Sequence, residues 1–189
     1  MSVVASITAD QAPLLVRGYF AGGDPGPITA TMAHVPELLE VAMPFLGAAL
    51  GASSISFRTK EIVILRTSCV MACRYCIDSH TPVALDADLT PEQVRALRSE
   101  PGYTVDAHFA DARDLALIAW TDAVAGGRGR VDDATTAAMT AAFAEHEVVE
   151  LTMLTGATLL LNRYASSLRL PVGDETIARL GAAGFERAS

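Results

Sequence analysis

Four residues of this chain have the types and spacing to do chemistry together: Glu61, Cys73, Cys76 and His80, in the pattern E-x11-C-x-x-C-x-x-x-H. On a helix Cys73 and Cys76 stand at i and i+3, and Cys76 and His80 at i and i+4, which puts two thiols and an imidazole on one face. That is the makeup of a thiol-disulfide centre with its own base. The thiolate is the reactive form of cysteine. A helix N-terminus, a C-x-x-C arrangement and a neighbouring imidazolium each lower the thiol pKa from about 8.5 toward neutrality or below. Glu61 immediately precedes the apolar run Ile62-Val-Ile-Leu65, where a carboxylate needs a partner.

The elements that must position these residues read as helices throughout. Ser56 is a candidate N-cap for a helix of about three turns through Cys69, although the β-branched residues of Ile62–Leu65 would also suit a buried strand. Thr90-Pro-Glu-Gln93 is a capping box with proline at the first helical position, and Asp132 is a second candidate cap. The alanine-rich tracts 106–125 and 132–147 favour helix, and Leu115–Trp120 is apolar on every side, as in a central buried helix. Breaks fall at Gly22–Pro27, Ser99–Gly102 and Gly126–Gly129, none long enough to be a domain linker. No alternating strand pattern or Asn-Gly hairpin signal is present, so the expected fold is all-α in a single domain spanning 1–189. A faint echo aligns Glu61 with Glu150 and Cys73-Arg74-Tyr75 with Asn162-Arg163-Tyr164; read as a duplicated helical hairpin, it leaves only the first copy chemically active.

With 189 residues the chain can bury one substantial core. It is 51% hydrophobic and 19% charged, with a mean hydropathy of +0.32, which predicts that part of its apolar surface is covered in a homo-oligomer. The net charge of −8 argues against nucleic-acid and acidic membrane partners, which require clustered lysine and arginine. The N-terminus lacks a basic segment of the secretory type, and the longest apolar tract, 148–161, contains Glu150 and is too short to span a bilayer. Three cysteines in such a chain suggest redox or metal chemistry rather than a structural disulfide framework, and the cytoplasm is the expected compartment.

The motif resembles the carboxymuconolactone decarboxylase family, and within it the AhpD-like alkylhydroperoxidase branch. All four positions match in type and spacing, and a weaker similarity runs from Ala33-His-Val-Pro-Glu37 through Ser54 to Asn162-Arg163-Tyr164. The resemblance implies an all-helical AhpD-like oligomer, a trimer or hexamer, that reduces hydroperoxides or disulfides through a cysteine pair. It implies Cys76 as the attacking thiolate, Cys73 as the resolving cysteine, and Glu61 and His80 as a proton relay acting through water. It also implies an external dithiol reductant, of lipoyl type, and no tightly bound cofactor or metal. Many C-x-x-C proteins instead have the lower pKa on the first cysteine, nearer the helix N-terminus, so the division of roles stays open. Where some peroxidases of the branch carry histidine before the second cysteine, this chain has Tyr75, which leaves disulfide reduction and redox sensing open. Members that decarboxylate lactones typically lack the cysteine pair.

Other readings of the motif compete less well. Cys69, Cys73 and Cys76 have the spacing of a radical-SAM cluster, but the repeated β-α units and glycine-rich segment such enzymes need are missing from the sequence. A zinc site from Cys69, Cys73, Cys76 and His80 would need four ligands on one continuous helix to surround an ion tetrahedrally. A non-catalytic protein whose disulfide controls assembly or partner binding is the alternative from another class. Cys69 fits a helix-core stripe, and Phe109 and Trp120 read as core. His34 reads as a capping or surface residue, His108 and His146 as solvent-facing, and Arg58 and Arg66 as surface ion pairs.

Overall fold

The computed structural model describes residues 2–127 and 130–188. A 3-10 segment, Leu14–Phe20, precedes ten helices among the described residues: α1 Pro27–Met32, α2 Pro36–Leu50, α3 Phe57–Val70, α4 Arg74–Asp86, α5 Pro91–Leu97, α6 Val105–His108, α7 Ala112–Gly126, α8 Asp133–Ala142, α9 Glu145–Leu168 and α10 Asp174–Ala182. No strand occurs among the described residues, which agrees with the all-α expectation.

Local signals set most of the helix starts. The Ser56 hydroxyl accepts from the Thr59 N–H, Thr90 and Gln93 form the expected capping box, and Asp132 caps α8 through the Thr135 N–H. Pro27, Pro36 and Pro91 each sit in the first turn of a helix, where a missing N–H costs no bond. Gly26 takes a φ of 83° just before Pro27, a left-handed conformation open to glycine.

Ile62, Val63, Ile64 and Leu65 are all essentially inaccessible. A helical turn apolar on every side belongs at the centre of the core, and α3 packs there against α4, α7 and α9. A second cluster joins Val16, Phe20, Leu39 and Leu46 of the N-terminal third to Ala157 and Leu161 of α9. Arg58 and Arg66 clamp α3 to α7: each guanidinium meets an aspartate 56 residues downstream, Asp114 at 2.7 Å and Asp122 at 2.8 Å. These pairs are partly buried bridges between helices rather than the surface pairs the sequence suggested.

Several sequence expectations need correction. The tract 106–125 is broken at Phe109, whose ring is buried, with Asp111 capping a new helix, and 132–147 is broken at Phe143. In both places an aromatic anchor turns into the core, and burial overrides alanine's helix propensity. Of the Gly126–Gly129 break, Arg128 and Gly129 lie outside the described residues. The echo does not extend to a repeated hairpin: Glu150 and Asn162–Tyr164 lie within the single helix α9, whereas Glu61 and Cys73 are divided between two elements. No described helix is long and apolar enough to cross a membrane.

Candidate active site

Between α3 and α4 the chain turns sharply. Val70 ends α3, Ala72 adopts a φ of 50°, and Cys73 becomes the N-cap of α4 with φ −85° and ψ 93°. The motif is therefore not carried on one continuous helix. Cys73 caps α4, Cys76 stands in its first turn and His80 one turn further on, so all three still face the same side.

Cys73 has no exposed surface and Cys76 only 5%. Both are free thiols. The pair behaves as one titrating unit in which a single proton lies between two sulfurs. The Cys73 thiol is held down at about 6, chiefly by the Cys76 thiol donating to it. The Ser166 hydroxyl and the N–H groups of Cys76 and Tyr75 add to this against the effect of burial. Cys76 is pushed upward, first because its proton is held by Cys73 and then by burial. The resting thiolate therefore sits on Cys73 at the helix N-terminus, where the backbone dipole favours negative charge. Tyr75, between the two cysteines, is raised to about 12 mainly by burial and remains a neutral phenol.

Glu61 is 1% exposed on α3, and its Oε2 lies 3.0 Å from His80 Nδ1, with Oε1 at 3.3 Å. At this distance the contact is direct. A carboxylate that accepts from Nδ1–H fixes the imidazole tautomer and leaves Nε2 as the working nitrogen. The neighbouring Lys60 does not share Glu61. Its buried ammonium lies 2.8 Å from Glu150 and donates to the Gly51 carbonyl at 2.6 Å.

Cys76 and His80 line a cavity of about 100 Å³ together with Ser68, Ser79, Asn162, Ile28, Leu50, Ile64 and Leu161. A wider groove of about 350 Å³ shares Ile28, Leu50, Tyr75 and Leu161 with this cavity and continues to Thr29 and Met43. Cys73 lines neither. A small molecule therefore meets Cys76 first, while the more acidic sulfur lies behind it.

The structure thus brings Glu61, Cys73, Cys76 and His80 into one site. Cys69 is elsewhere, half-buried on the rim of a groove with Arg95, Arg98 and Arg187, with its thiol 3.5 Å from the Ser99 hydroxyl. It does not lie in the core stripe expected of it. Among the described residues no cluster of His, Cys, Asp or Glu is arranged to hold a metal ion. His34 is exposed and bonds the Ala5 carbonyl at 2.8 Å, His146 is exposed, and His108 is half-buried against Tyr103. Phe109 is core, whereas Trp120 is half-buried with its indole N–H donated to Thr152.

Sequence reasoning missed Ser68, Asn162 and Ser166. Asn162 was visible as a polar residue after the apolar run Leu159-Leu-Leu161, as the counterpart of Cys73 in the echo and as part of the weaker family similarity. None of these signals disclosed that α9 would lay it against the thiols.

Comparison with known proteins gives a family match over part of the chain and a fold. Residues 36–116, which contain all four motif positions, match the Carboxymuconolactone decarboxylase family. An alkylhydroperoxidase AhpD core structure, an uncharacterised peroxidase-related protein from Ralstonia eutropha JMP134, superposes with a TM-score of 0.79 at 17% identity. The match covers 93% of this chain and 94% of that one. A peroxidase-related protein from Silicibacter sp. TM1040 gives 0.78 at 17% identity, covering 93% of each chain. A cysteine-to-alanine variant of the debrominase Bmp8, in complex with 2,3,4-tribromopyrrole, gives 0.73 at 16% identity over 97% of this chain and 100% of that one. No curated protein matches the sequence at a significant level.

Proposed function

For a chain whose residues 36–116 match the carboxymuconolactone decarboxylase family and whose fold is AhpD-like, we propose a thiol peroxidase that reduces small hydroperoxides through Cys76 and Cys73. One observation carries this reading: the second sulfur of a buried thiol pair faces a cavity shared with a histidine that is bonded to a buried carboxylate.

The reaction begins with the proton shared by the two sulfurs. Its transfer to Cys73 leaves the thiolate on Cys76, in contact with the cavity. Cys76 Sγ attacks the hydroxyl oxygen of the hydroperoxide, forming an S–O bond as the O–O bond breaks, with sulfur oxidised and the peroxide reduced. The departing alkoxide takes a proton relayed by His80, whose side chain is 25% exposed and so reaches solvent, while Glu61 stabilises the imidazolium. Cys73 then attacks the sulfenic sulfur, forming the disulfide and releasing water. An external dithiol returns the pair to the reduced state by exchange, and a lipoyl-type donor suits a site that a slender chain can enter along the apolar groove.

These assignments keep Cys76 as the attacking and Cys73 as the resolving sulfur. Access decides the order even though Cys73 is the more acidic thiol. A homo-oligomer in the cytoplasm is the setting we propose. Exposed Leu38, Val41 and Phe45 on α2, together with Met153 and Leu160 on α9, supply apolar surface that a subunit contact would cover.

Steady-state turnover with hydrogen peroxide or an alkyl hydroperoxide and dihydrolipoamide tests the proposal. Many equivalents consumed per chain support an enzyme, whereas a reaction that stops after one equivalent indicates a redox-responsive protein without turnover. Because the cavity is small and largely apolar, a brominated pyrrole belongs in the same substrate panel, as suggested by the debrominase of similar fold.

A further inference from the structure

Asn162 has no assigned role in the reaction, yet its amide lies against the cavity that holds Cys76. It is 1% exposed and comes from α9, which packs across α3 and α4. Its hydrogen bonding is defined by Ser68. The Ser68 hydroxyl donates to the Ile64 carbonyl at 2.7 Å, which leaves its oxygen free to accept. Asn162 turns Nδ2 toward that oxygen, at 3.1 Å, and its amide is also within hydrogen-bond reach of the Cys76 thiol. Oδ1 is left with no hydrogen-bond partner among the described residues. A buried carbonyl oxygen without a donor is rare in folded proteins, because leaving it unpaired forfeits its solvation. Such an atom beside a reactive sulfur awaits a donor from a ligand.

Resting on the peroxidase reading above, we propose that Asn162 Oδ1 is the substrate-binding acceptor that receives the O–H of the hydroperoxide and so presents its hydroxyl oxygen to Cys76 Sγ. The same oxygen becomes the sulfenic hydroxyl after attack and keeps its proton, which can stay hydrogen-bonded to Oδ1 throughout. Asn162 thus binds one O–H on both sides of the oxygen transfer, while Ser68 fixes which end of the amide does so. An oxidant without an O–H or N–H gains nothing from this contact. The site therefore discriminates by hydrogen-bond donation, favouring hydroperoxides over aprotic electrophiles of similar size.

The test uses the reduced full-length chain carrying Cys69→Ser and compares single-turnover rates with tert-butyl hydroperoxide and with methyl methanethiosulfonate, which has no donor. Both reactions need the Cys76 thiolate, so their ratio cancels any change in thiol acidity. Asn162→Leu and Asn162→Ala should lower the hydroperoxide-to-thiosulfonate ratio about ten-fold or more. Asn162→Asp, which keeps an acceptor oxygen, should hold the ratio near wild type even if both absolute rates fall. An unchanged ratio in the leucine and alanine variants, or an equal loss in the aspartate variant, overturns the inference. A wild-type chain that reacts with the thiosulfonate but not with any hydroperoxide overturns the peroxidase reading itself, and this inference with it.

Discussion

Glu61 and His80 are 19 residues apart in sequence and on different helices, yet the carboxylate oxygen of one lies 3.0 Å from Nδ1 of the other. The contact crosses the turn at Ala72, which folds α4 back against α3 and points the imidazole toward a carboxylate that has almost no contact with solvent. A buried carboxylate is stable when a hydrogen-bonded partner compensates it, and here the partner is also the group that faces the thiol cavity.

If this pair relays protons, removing its titrating function should slow peroxide reduction without unfolding the protein. Glu61→Gln and His80→Asn are expected to lower the rate with hydroperoxide about ten-fold or more at neutral pH, with helical circular dichroism unchanged. Rates equal to wild type in both variants would remove the relay from the mechanism.

Oxidation should link Cys73 to Cys76 and leave Cys69 free, because the N-cap and first-turn positions of α4 bring the two sulfurs together while Cys69 opens onto a different groove. Peptide mass spectrometry after one equivalent of peroxide reads the linkage directly. A Cys69–Cys76 bridge would mean that the site has been assigned to the wrong pair.

Thiolate ultraviolet absorbance of the reduced chain should titrate one sulfur with a midpoint near 6, and Cys73→Ser should abolish that step. The linked stability has a definite sign. Cys73 is depressed on folding, so its contribution is present above the ordinary thiol pKa, shrinks as pH falls toward 6 and is absent below it. Cys76 is raised, so it opposes stability once pH exceeds the ordinary thiol pKa. Urea unfolding of the reduced protein should therefore show the wild-type advantage over Cys73→Ser growing between pH 6 and pH 8.5. A flat difference across that window would contradict the low thiol pKa.

Lys60 is as buried as Glu61, and Glu150 supplies its countercharge while drawn to lower pKa by it. Removing only the carboxylate strands an ammonium in the core, so Glu150→Ala should destabilise the fold by about 3 kcal/mol, whereas Lys60→Met, which removes the buried charge and keeps the volume, should cost less. Denaturant midpoints of the two variants rank them. The reverse order would show that the ammonium is solvated well enough by the Gly51 and Ala49 carbonyls alone.

Light scattering at micromolar concentration should give a mass of two or more chains of 19.8 kDa, since Leu38, Val41 and Phe45 project from α2 into solvent in the single chain. Charged substitutions at Val41 and Phe45 should then lower the mass toward one chain. A wild-type mass of one chain would leave those side chains without an explanation in terms of assembly.

The sequence by itself determined which residues could act together and in what kind of fold. Spacing alone put Cys76 and His80 on one helical face, the Ser56, Thr90 and Asp132 caps marked helix starts, and the absence of alternating patterns pointed to an all-helical chain. These signals are local, set within a turn or two of backbone. Tertiary structure decided what depends on partners far along the chain. The turn at Ala72 made Cys73 an N-cap and gave it the thiolate, while access to the cavity belongs to Cys76. The direct Glu61–His80 contact, the breaks at Phe109 and Phe143, and the approach of Asn162 from α9 all follow from how helices pack around α3. Periodicity reports which face of a helix is apolar, but only packing selects which distant side chain meets that face, and a buried polar atom takes its chemistry from that neighbour.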